Sequence, residues 1–410
     1  MLGDDESPVV TGVGLLTAGG ESRSTTWETI RDGDSRLTPP TEVHPAVTEQ
    51  YDVHVVGRAT EFDPQTVSGY DRRTTGRYAA FALDAAEEAL IDAALDPDGP
   101  DWTADRVGVS VASVFGGLDE ILAEYDTDRS RVSSYLATKS LGNLAAGHVG
   151  MTVGARGPNR TQATACAAGT HALDAAVTDL RRGRADVMLV GGAEAVLNYY
   201  GIAMTAAPRA YTSRAGPDAV RPFDESRDGL ALGEGAAVMI VETAAHARDR
   251  GVEPYARVTG VGATADAHHP VSPPTDGHGL QRSMQMALSE ADVSPDAVDY
   301  VNTHGTGTVA GDTAEANAVE TVLGEDTPIT SVKGAIGHTY GAAGAIDAAV
   351  TALSVDRDTV PATANVETPD PEITPPVVTT PTDESVDTVV SNSAGFGGTN
   401  GSIVFETPDR

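Results

Sequence analysis

The residues best suited to do chemistry are one cysteine, two histidines and a lysine. Cys166 lies in RTQATACAAGTHAL, where small residues separate a short apolar run from an Ala-rich helical pattern. A thiol at a helix N-terminus lies near the positive end of the helix dipole, which lowers its pKa and favours the nucleophilic thiolate. A lone buried cysteine that acts as a small apolar side chain is the alternative interpretation.

Both histidines lie in Gly/Thr-rich segments that follow apolar runs. His304 lies in VNTHGTGT, and His338 lies in SVKGAIGHTYGAAG, five residues after Lys333. Ligands bind at the carboxyl ends of strands in α/β sheets. Taken singly, each histidine is explained by an ordinary loop role. Together with Cys166 they form a set suited to thioester chemistry, with a soft nucleophile and two hydrogen-bond donors for a developing enolate.

These residues need a scaffold, and the chain predicts one of alternating strands and helices. Short apolar runs typical of buried parallel strands alternate with Ala-rich helical stretches. The predicted strands are ADVMLVGG, RVGVSVAS, VDYVNTHG and PITSVKG, and the predicted helices are RYAAFALDAAEEALIDAAL, THALDAAVTDLRRG, TAEANAVETVL and GAAGAIDAAVTAL. The C-terminal TVVSNSAGFGGTNGSIVFE predicts two strands joined by a glycine-rich loop. The alternation predicts an α/β fold, and the best boundary between two parts lies at residues 251–255.

The composition argues against several classes of function. The chain has 410 residues, with 27 basic residues against 60 acidic ones, a net charge of −33 and 40% apolar residues. Nucleic acids and anionic membrane surfaces both attract basic patches, so neither is an expected partner. No apolar run is long enough to span a bilayer, and the acidic start MLGDDESPVV lacks the pattern of an export signal. With its single cysteine, the chain is predicted to be cytoplasmic.

The charge pattern also predicts adaptation to high salt. Lys139 and Lys333 are the only lysines, and the acidic residues are spread along the chain. A dispersed acidic surface stays soluble when salt screens its repulsion, so we expect a halophilic source. GC-rich codon usage would favour arginine over lysine, but it would not explain the net charge.

Five ordered motifs resemble those of the β-ketoacyl-acyl carrier protein synthases, in particular the elongating condensing enzymes of the KAS II type. They are TACAAGTHAL, RPFDESRDGLALGEGAAVMIVE, VNTHGTGT, SVKGAIGHTYGAAG and SNSAGFGGTNGS. The resemblance covers essentially the whole chain. It implies a thiolase-like fold of five layers, α-β-α-β-α, with two similar halves at residues 1–252 and 253–410. It also implies a homodimer that needs no metal or other cofactor.

The activity implied by the resemblance is a decarboxylative Claisen condensation in fatty-acid or polyketide-type chain elongation. Cys166 would accept the acyl group from a carrier-protein or coenzyme A thioester. His304 and His338 would then donate hydrogen bonds to the enolate formed from malonyl thioester, and Lys333 would help to keep them uncharged.

The resemblance implies further roles around these residues. The backbone N–H groups of Cys166 and Phe396 would form an oxyanion hole, and Phe396 would also act as a gate. The hydroxyl groups of Thr306 and Thr308 would bind the pantetheine arm. His268 and His269 are interpreted as part of a loop at the site's mouth.

Two features depart from the pattern of the family. Phe115 aligns with a position that is often a smaller residue facing the acyl pocket, which predicts a preference for short or medium acyl chains. Simple core packing is the alternative. The surface is acidic where relatives present basic residues to the carrier protein. Arg72, Arg73 and Arg209 nevertheless align with carrier-docking positions, with solvated surface arginines as the alternative.

Two rival functions remain open. A thiolase or a hydroxymethylglutaryl-type enzyme using coenzyme A would share the fold but lack the paired histidine motifs. A non-catalytic partner resembling a chain-length factor would usually lack the nucleophile that Cys166 provides here.

Overall fold

The computed structural model describes residues 7–41, 43, 45–125 and 132–408. Residues 1–6, on which the prediction about an export signal partly rests, lie outside the described residues. The first five strands are β1 (Pro8–Thr17), β2 (Val107–Ala112), β3 (Asn159–Arg160), β4 (Val187–Glu194) and β5 (Gly235–Thr243). The later strands are β6 (Ala256–Ala265), β7 (Tyr300–Asn302), β8 (Ile329–Thr330), β9 (Thr359–Val360), β10 (Thr382–Asp383), β11 (Thr388–Gly395) and β12 (Thr399–Glu406).

Ten of these strands form a mixed sheet whose order shows an internal repeat. The order is β3-β2-β4-β5-β1-β6-β12-β11-β7-β8, while β9 and β10 pair with each other. Counted from one edge of the sheet, the five strands of the first half (β1 to β5) lie in the order third, second, fourth, fifth, first. Counted from the other edge, the five strands of the second half (β6, β7, β8, β11 and β12) lie in the same order. The two sets join where β1 pairs antiparallel with β6, through Val9 with Arg257 and Val10 with Ala256.

Helices cover the sheet on both sides and fill the space between its two halves. They are α1 (Arg23–Arg31), α2 (Pro45–Tyr51), α3 (Arg77–Asp92), α4 (Leu118–Tyr125), α5 (Leu136–Ser140), α6 (Leu144–Val153), α7 (Ala168–Arg181), α8 (Tyr199–Ala206), α9 (Ala244–Asp249), α10 (His278–Ala291), α11 (Val309–Leu323), α12 (Lys333–Ile336) and α13 (Ala343–Arg357). The pair α7 and α13 forms the central layer, α3 packs on β1 and β5, and α10 packs on β6 and β12. This arrangement is the thiolase-like α/β fold, so the predicted fold class is confirmed.

The central helices show why this sequence makes these layers. Every residue of α13 from Ala343 to Val355 is buried, as expected for a helix that is enclosed on all sides. Small residues let α7 approach it closely, since a Cβ atom added at Gly169 would lie 2.3 Å from the backbone nitrogen of Ala345. The α7 helix ends just before Gly183, whose φ of +62° suits a helix stop.

The remaining predicted elements are also present. The C-terminal segment forms the antiparallel pair β11 and β12, joined through Gly395 and Thr399. The predicted buried strands correspond to β2, β4, β7 and β8, and β2 lies parallel to β4 as expected. Within the described residues, no helix has both the length and the apolar character needed to cross a bilayer.

Candidate active site

Cys166 lies where the chain turns sharply into α7. It is the middle residue of a 3-10 turn, Ala165–Ala167, which leads directly into the helix, as the sequence predicted. Ala165 has a φ of +51°, a left-handed conformation that is strained for a residue other than glycine. The surrounding structure must therefore hold this turn in place. The cysteine is buried, with 4% of its surface exposed.

The structure brings Cys166 together with His304 and His338. The Nε2 atom of His338 lies 3.0 Å from the sulfur of Cys166. The two imidazole rings have centroids 5.1 Å apart and cross at 82°. One side-chain atom of each of the three residues lies within 4.8 Å of those of the other two. All three side chains can therefore contact a single bound group.

The His304 loop is held by a buried carboxylate. The backbone N–H groups of His304 and Gly305 donate hydrogen bonds of 2.9 and 2.8 Å to Glu315 on α11. The hydroxyl group of Ser331 donates to the carbonyl oxygen of Gly305 at 2.6 Å. Because the loop starts at the end of β7, the strand and the helix together fix the position of the imidazole.

His338 is held by its own backbone. Its N–H donates to the carbonyl oxygen of Ala231 at 2.8 Å, and its carbonyl oxygen accepts from the N–H of Gly233 at 2.9 Å. These bonds form a short parallel bridge between His338 and Leu232. The segment 231–233, which directly precedes Glu234 and β5, thereby connects this histidine to the first half of the sheet.

Both imidazoles are uncharged near neutral pH. Burial and, to a smaller extent, the cation of Lys333 lower the pKa of His338 to about 3. Burial also lowers the pKa of His304 well below its ordinary value, with contributions from Lys333 and His338. A neutral imidazole carries one N–H group that can donate a hydrogen bond to a bound oxygen. This matches the expectation that Lys333 helps to keep the histidines neutral.

Lys333 is itself fully buried and paired. Its Nζ atom lies 2.5 Å from Oδ2 of Asp347, and the two side chains are 1% and 0% exposed. Burial raises the pKa of Asp347 to about 6, although Lys333 acts in the opposite direction. The other carboxylate oxygen, Oδ1, is buried and has no hydrogen-bond partner among the residues that the structure describes. The lysine therefore supplies a fixed positive charge behind the two histidines.

The protonation state of Cys166 differs from the expectation based on the helix dipole. Burial raises the pKa of its thiol to about 12. Hydrogen bonds from the backbone N–H groups of Phe396 and of Cys166 itself, together with the charge of Lys333, lower the pKa but do not overcome burial. The position at the helix N-terminus was predicted correctly, but the free protein holds a thiol there, because the loss of hydration outweighs the dipole.

A cavity of about 390 Å³ leads from the surface to these three side chains. The exposed residues Arg209, Asp228 and His269 line its outer end, and Cys166 lies at its buried end. The loop residue Phe396 also lines it. The cavity therefore joins the solvent to the thiol by a path lined with protein.

Two threonines line the middle of the cavity. The hydroxyl oxygens of Thr306 and Thr308 are 3.0 Å apart, and both residues belong to the loop that carries His304. His269 lies at the mouth, where its Nδ1 atom accepts hydrogen bonds from the N–H groups of Val271 and Ser272. This agrees with its interpretation as part of a loop at the mouth.

Arg72 and Arg73 lie on an exposed turn away from the cavity lining. The guanidinium of Arg73 is held by Asp71, with Nη2 and Oδ2 2.8 Å apart. The neighbouring Arg77 pairs with the buried Glu234 at 2.7 Å. Of the three arginines that align with carrier-docking positions, Arg209 is the one that lines the mouth of the cavity.

Phe115 lies behind the cavity wall. Among the described residues that line the cavity, the aromatic ones next to Cys166 include Tyr340 but not Phe115. Phe115 packs edge-on against Tyr340, with ring centroids 5.1 Å apart and an angle of 84°. Phe115 therefore contacts the wall of the cavity at Tyr340.

Sequence reasoning missed several residues that shape the site. Besides Glu315, these are Asp312, which accepts from the N–H of Gly307 at 3.1 Å, and Tyr340, which stacks on His338. Asp312 and Glu315 are three residues apart in an otherwise Ala-rich helix, and both are buried. Acidic residues on the buried face of a helix are a usable signal, because buried carboxylates need hydrogen-bond donors. Tyr340 gave no such signal.

Comparisons with known proteins agree with this geometry. Residues 6–247 match the family model "Beta-ketoacyl synthase, N-terminal domain", and residues 255–367 match "Beta-ketoacyl synthase, C-terminal domain". A 3-oxoacyl-[acyl-carrier-protein] synthase 2 of Staphylococcus aureus is 37% identical, covering 99% of each chain. A mitochondrial 3-oxoacyl-[acyl-carrier-protein] synthase of Arabidopsis thaliana is 35% identical over 97% of this chain and 92% of its own.

Solved structures show the same relationship. A ketosynthase structure with a type II PKS acyl-carrier protein and a bound hexaketide superposes with a TM-score of 0.90 at 30% identity, covering 98% of this chain and 99% of that one. A beta-ketoacyl synthase from Burkholderia phymatum gives a TM-score of 0.89 at 29% identity, covering 98% and 100%. With both family models matched and relatives similar along their whole length, the chain belongs to the beta-ketoacyl synthase family of condensing acyltransferases.

Proposed function

We propose that this protein is a 3-oxoacyl-[acyl-carrier-protein] synthase that extends an acyl group held on Cys166. The observation that carries the proposal is the 3.0 Å contact between the sulfur and His338, with His304 beside it in one buried cavity. A soft nucleophile next to two neutral hydrogen-bond donors is what acyl transfer followed by decarboxylation requires.

In the first half-reaction, Cys166 takes the acyl group from a carrier thioester. The sulfur attacks the carbonyl carbon, the bond to the carrier sulfur breaks, and the thiol proton leaves with the departing carrier thiol. The backbone N–H groups of Cys166 and Phe396 stabilise the oxyanion of the tetrahedral intermediate. The N–H of His338 supports negative charge on the sulfur as its proton leaves.

In the second half-reaction, a malonyl thioester loses CO₂ and forms an enolate. Its negative oxygen accepts hydrogen bonds from His304 and His338, and the charge of Lys333 supports the same negative centre. The enolate carbon attacks the acyl-cysteine carbonyl, and the bond to sulfur breaks. The product is a 3-oxoacyl thioester, and the thiolate of Cys166 takes up a proton.

The arm of the carrier is proposed to occupy the cavity between its mouth and the thiol. Thr306 and Thr308 offer hydroxyl groups to the amides of a pantetheine chain. Phe396 is followed by Gly397 and Gly398, whose φ values of 85° and 71° are conformations that glycine adopts without strain, and its ring is proposed to act as a gate. Arg209 at the mouth provides positive charge for the phosphate of the arm.

Carrier docking is proposed at Arg209 and the exposed Arg72, with Arg73 contributing less because Asp71 already holds it. One structural relative is described in complex with its acyl-carrier protein. Coenzyme A thioesters are the alternative donors. Charge reversal of Arg72 should raise the Michaelis constant for malonyl carrier protein but leave that for malonyl coenzyme A nearly unchanged. Charge reversal of Arg209 should raise both constants, because both donors carry the phosphate of the arm.

We also propose that each chain has two halves, at residues 1–252 and 253–410, and that two chains form a homodimer. Among the described residues, strand β3 is the last strand at one edge of the sheet, and its residues are exposed. Four large apolar side chains on α4 and α8 and just before α5 are exposed as well, namely Ile121, Tyr200, Met204 and Tyr135. A monomer by sedimentation at molar salt would contradict this assembly.

Intact-mass measurement after incubation with an acyl thioester tests the main proposal. The wild type should gain one acyl group, and Cys166→Ala should gain none. Variants His304→Ala and His338→Ala should still be acylated but should release CO₂ from malonyl thioester far more slowly. An acyl adduct that persists in Cys166→Ala would contradict the proposal. An acylated wild type that never releases CO₂ would instead favour a non-condensing partner of the chain-length-factor type.

A further inference from the structure

Tyr340 forms the wall of the cavity directly beside the nucleophile. Its ring is stacked on the imidazole of His338, with centroids 5.3 Å apart and an angle of 14°. On its other side Phe115 packs edge-on at 5.1 Å. Tyr340 is 4% exposed and lines the same cavity as Cys166. The ring therefore separates the thiol from the apolar residues behind it.

A hydrogen bond fixes the ring in this position. The hydroxyl oxygens of Tyr340 and Thr205 are 2.6 Å apart, and Thr205 is buried on α8. The hydroxyl of Thr205 donates to the carbonyl oxygen of Gly201 at 3.0 Å. Since a hydroxyl group has one proton to donate, Tyr340 is the donor in the bond with Thr205. Swinging the ring aside would break this bond and leave two buried hydroxyl oxygens with fewer partners.

The backbone at this position is also unusual. Tyr340 has a φ of +46°, a left-handed conformation that is costly for a bulky residue. Strained residues persist where the surrounding structure holds them, and they cluster at functional sites. Here the surrounding contacts hold an aromatic ring between His338 and Phe115 in spite of this strain.

Tyr340 lies in the direction that an acyl chain on Cys166 can take. The pantetheine arm must fill the path from the mouth to the sulfur, because that path is the cavity. The acyl chain must then extend away from the arm, towards Tyr340. Behind the ring lie apolar side chains of α8, including Ile202 and Ala206, which belong to the same buried cluster as Cys166 and Tyr340.

We propose that Tyr340, held by Thr205 and supported by Phe115, ends the acyl pocket and restricts Cys166 to short acyl groups such as acetyl and butyryl. This inference rests on the proposed function. It assigns the restriction to Tyr340 as a specificity-determining residue and gives Phe115 an indirect part.

Acyl loading of Cys166 tests the restriction, with initial rates measured by intact mass for acetyl, butyryl and lauroyl thioesters. The wild type should load butyryl at least about tenfold faster than lauroyl, since a closed apolar pocket discriminates by that much for even one methylene group. Tyr340→Leu should raise the ratio of the lauroyl rate to the butyryl rate by at least about tenfold. Phe115→Leu is the matched control and should raise the ratio of lauroyl to butyryl less than Tyr340→Leu does.

The outcomes are separable. Equal rates for butyryl and lauroyl in the wild type would overturn the restriction and leave the proposed function intact. A lauroyl rate that rises in Phe115→Leu but not in Tyr340→Leu would also overturn it. If no thioester loads the wild type, the proposed function fails, and the inference fails with it. Should Tyr340→Leu not fold, Tyr340→Met carries the test, because its unbranched chain can bend aside.

Discussion

The buried ion pair behind the histidines can be tested against a partly exposed pair of the same length. Nζ of Lys333 lies 2.5 Å from Asp347, and the side chains are 1% and 0% exposed. The only other lysine, Lys139, lies 2.5 Å from Glu120, but those side chains are 21% and 27% exposed. Replacing each lysine by methionine therefore removes the same contact from two different surroundings.

Burial decides how much each replacement costs. At 2.5 Å the Coulomb attraction is roughly 7 kcal/mol at an effective dielectric constant of 20, and desolvation offsets most of it. Lys333→Met leaves a buried carboxyl group unpaired and should lower the free energy of unfolding by about 3–5 kcal/mol. Lys139→Met should lower it by less than about 1 kcal/mol. The double variant Lys333→Met/Asp347→Leu should recover most of the loss, because it leaves no buried charge unpaired.

The same variants should separate stability from catalysis. Lys333 lowers the pKa of both His304 and His338, second only to burial, so removing it should raise both pKa values. Decarboxylation needs the neutral imidazoles and is lost as pH falls through their pKa. The acid limb of CO₂ release should therefore move to higher pH in Lys333→Met and stay shifted in the double variant.

Urea unfolding in molar KCl and the pH profile of CO₂ release from malonyl thioester measure the two effects. Lys139→Met serves as the control in both assays. Equal losses of stability in the two single variants, together with an acid limb that does not move, would refute the reasoning about the buried pair.

Three further outcomes follow from the site and the surface. Burial raises the pKa of Glu315 to about 7, so the protonated carboxyl group contributes stability below about pH 4.5, and this contribution is lost as pH rises through 7. Between these pH values, the free energy of unfolding should fall less in Glu315→Gln than in the wild type, by up to about 3 kcal/mol, as measured by chemical unfolding. Zn²⁺ should inhibit acyl loading by binding Cys166, His304 and His338, whose ligand atoms lie within 4.8 Å of one another. A chelator should restore loading, and inhibition that persists after the chelator is added would contradict this binding. The net charge is −33, and the screening length falls from about 10 Å at 0.1 M salt to about 3 Å at 1 M, so the melting temperature should rise steeply as the KCl concentration increases. A melting temperature independent of salt would contradict adaptation to high salt.

The amino-acid sequence was sufficient to predict the elements and the reacting groups. Cys166 at a helix start and His304 after β7 follow from local patterns of small, apolar and polar residues, which govern strand and helix formation over a few residues. His338 was also expected after a strand, but the short helix α12 separates it from β8. The resemblance of five ordered motifs to the β-ketoacyl synthases then allowed the thiolase-like fold to be expected. The strands β4, β7 and β8 lie where their apolar runs predicted them.

Properties that depend on burial could not be obtained in this way. The pKa of Cys166 rises instead of falling, because packing removes water from the thiol, and a helix pattern in the sequence carries no measure of that loss. Glu315 and Tyr340 contact the site from α11 and from the turn after His338, and their contacts exist once distant segments have packed together. Phe115 aligned with a pocket position, yet the folded chain places Tyr340 in front of it, because a side chain's neighbours are set by packing in three dimensions.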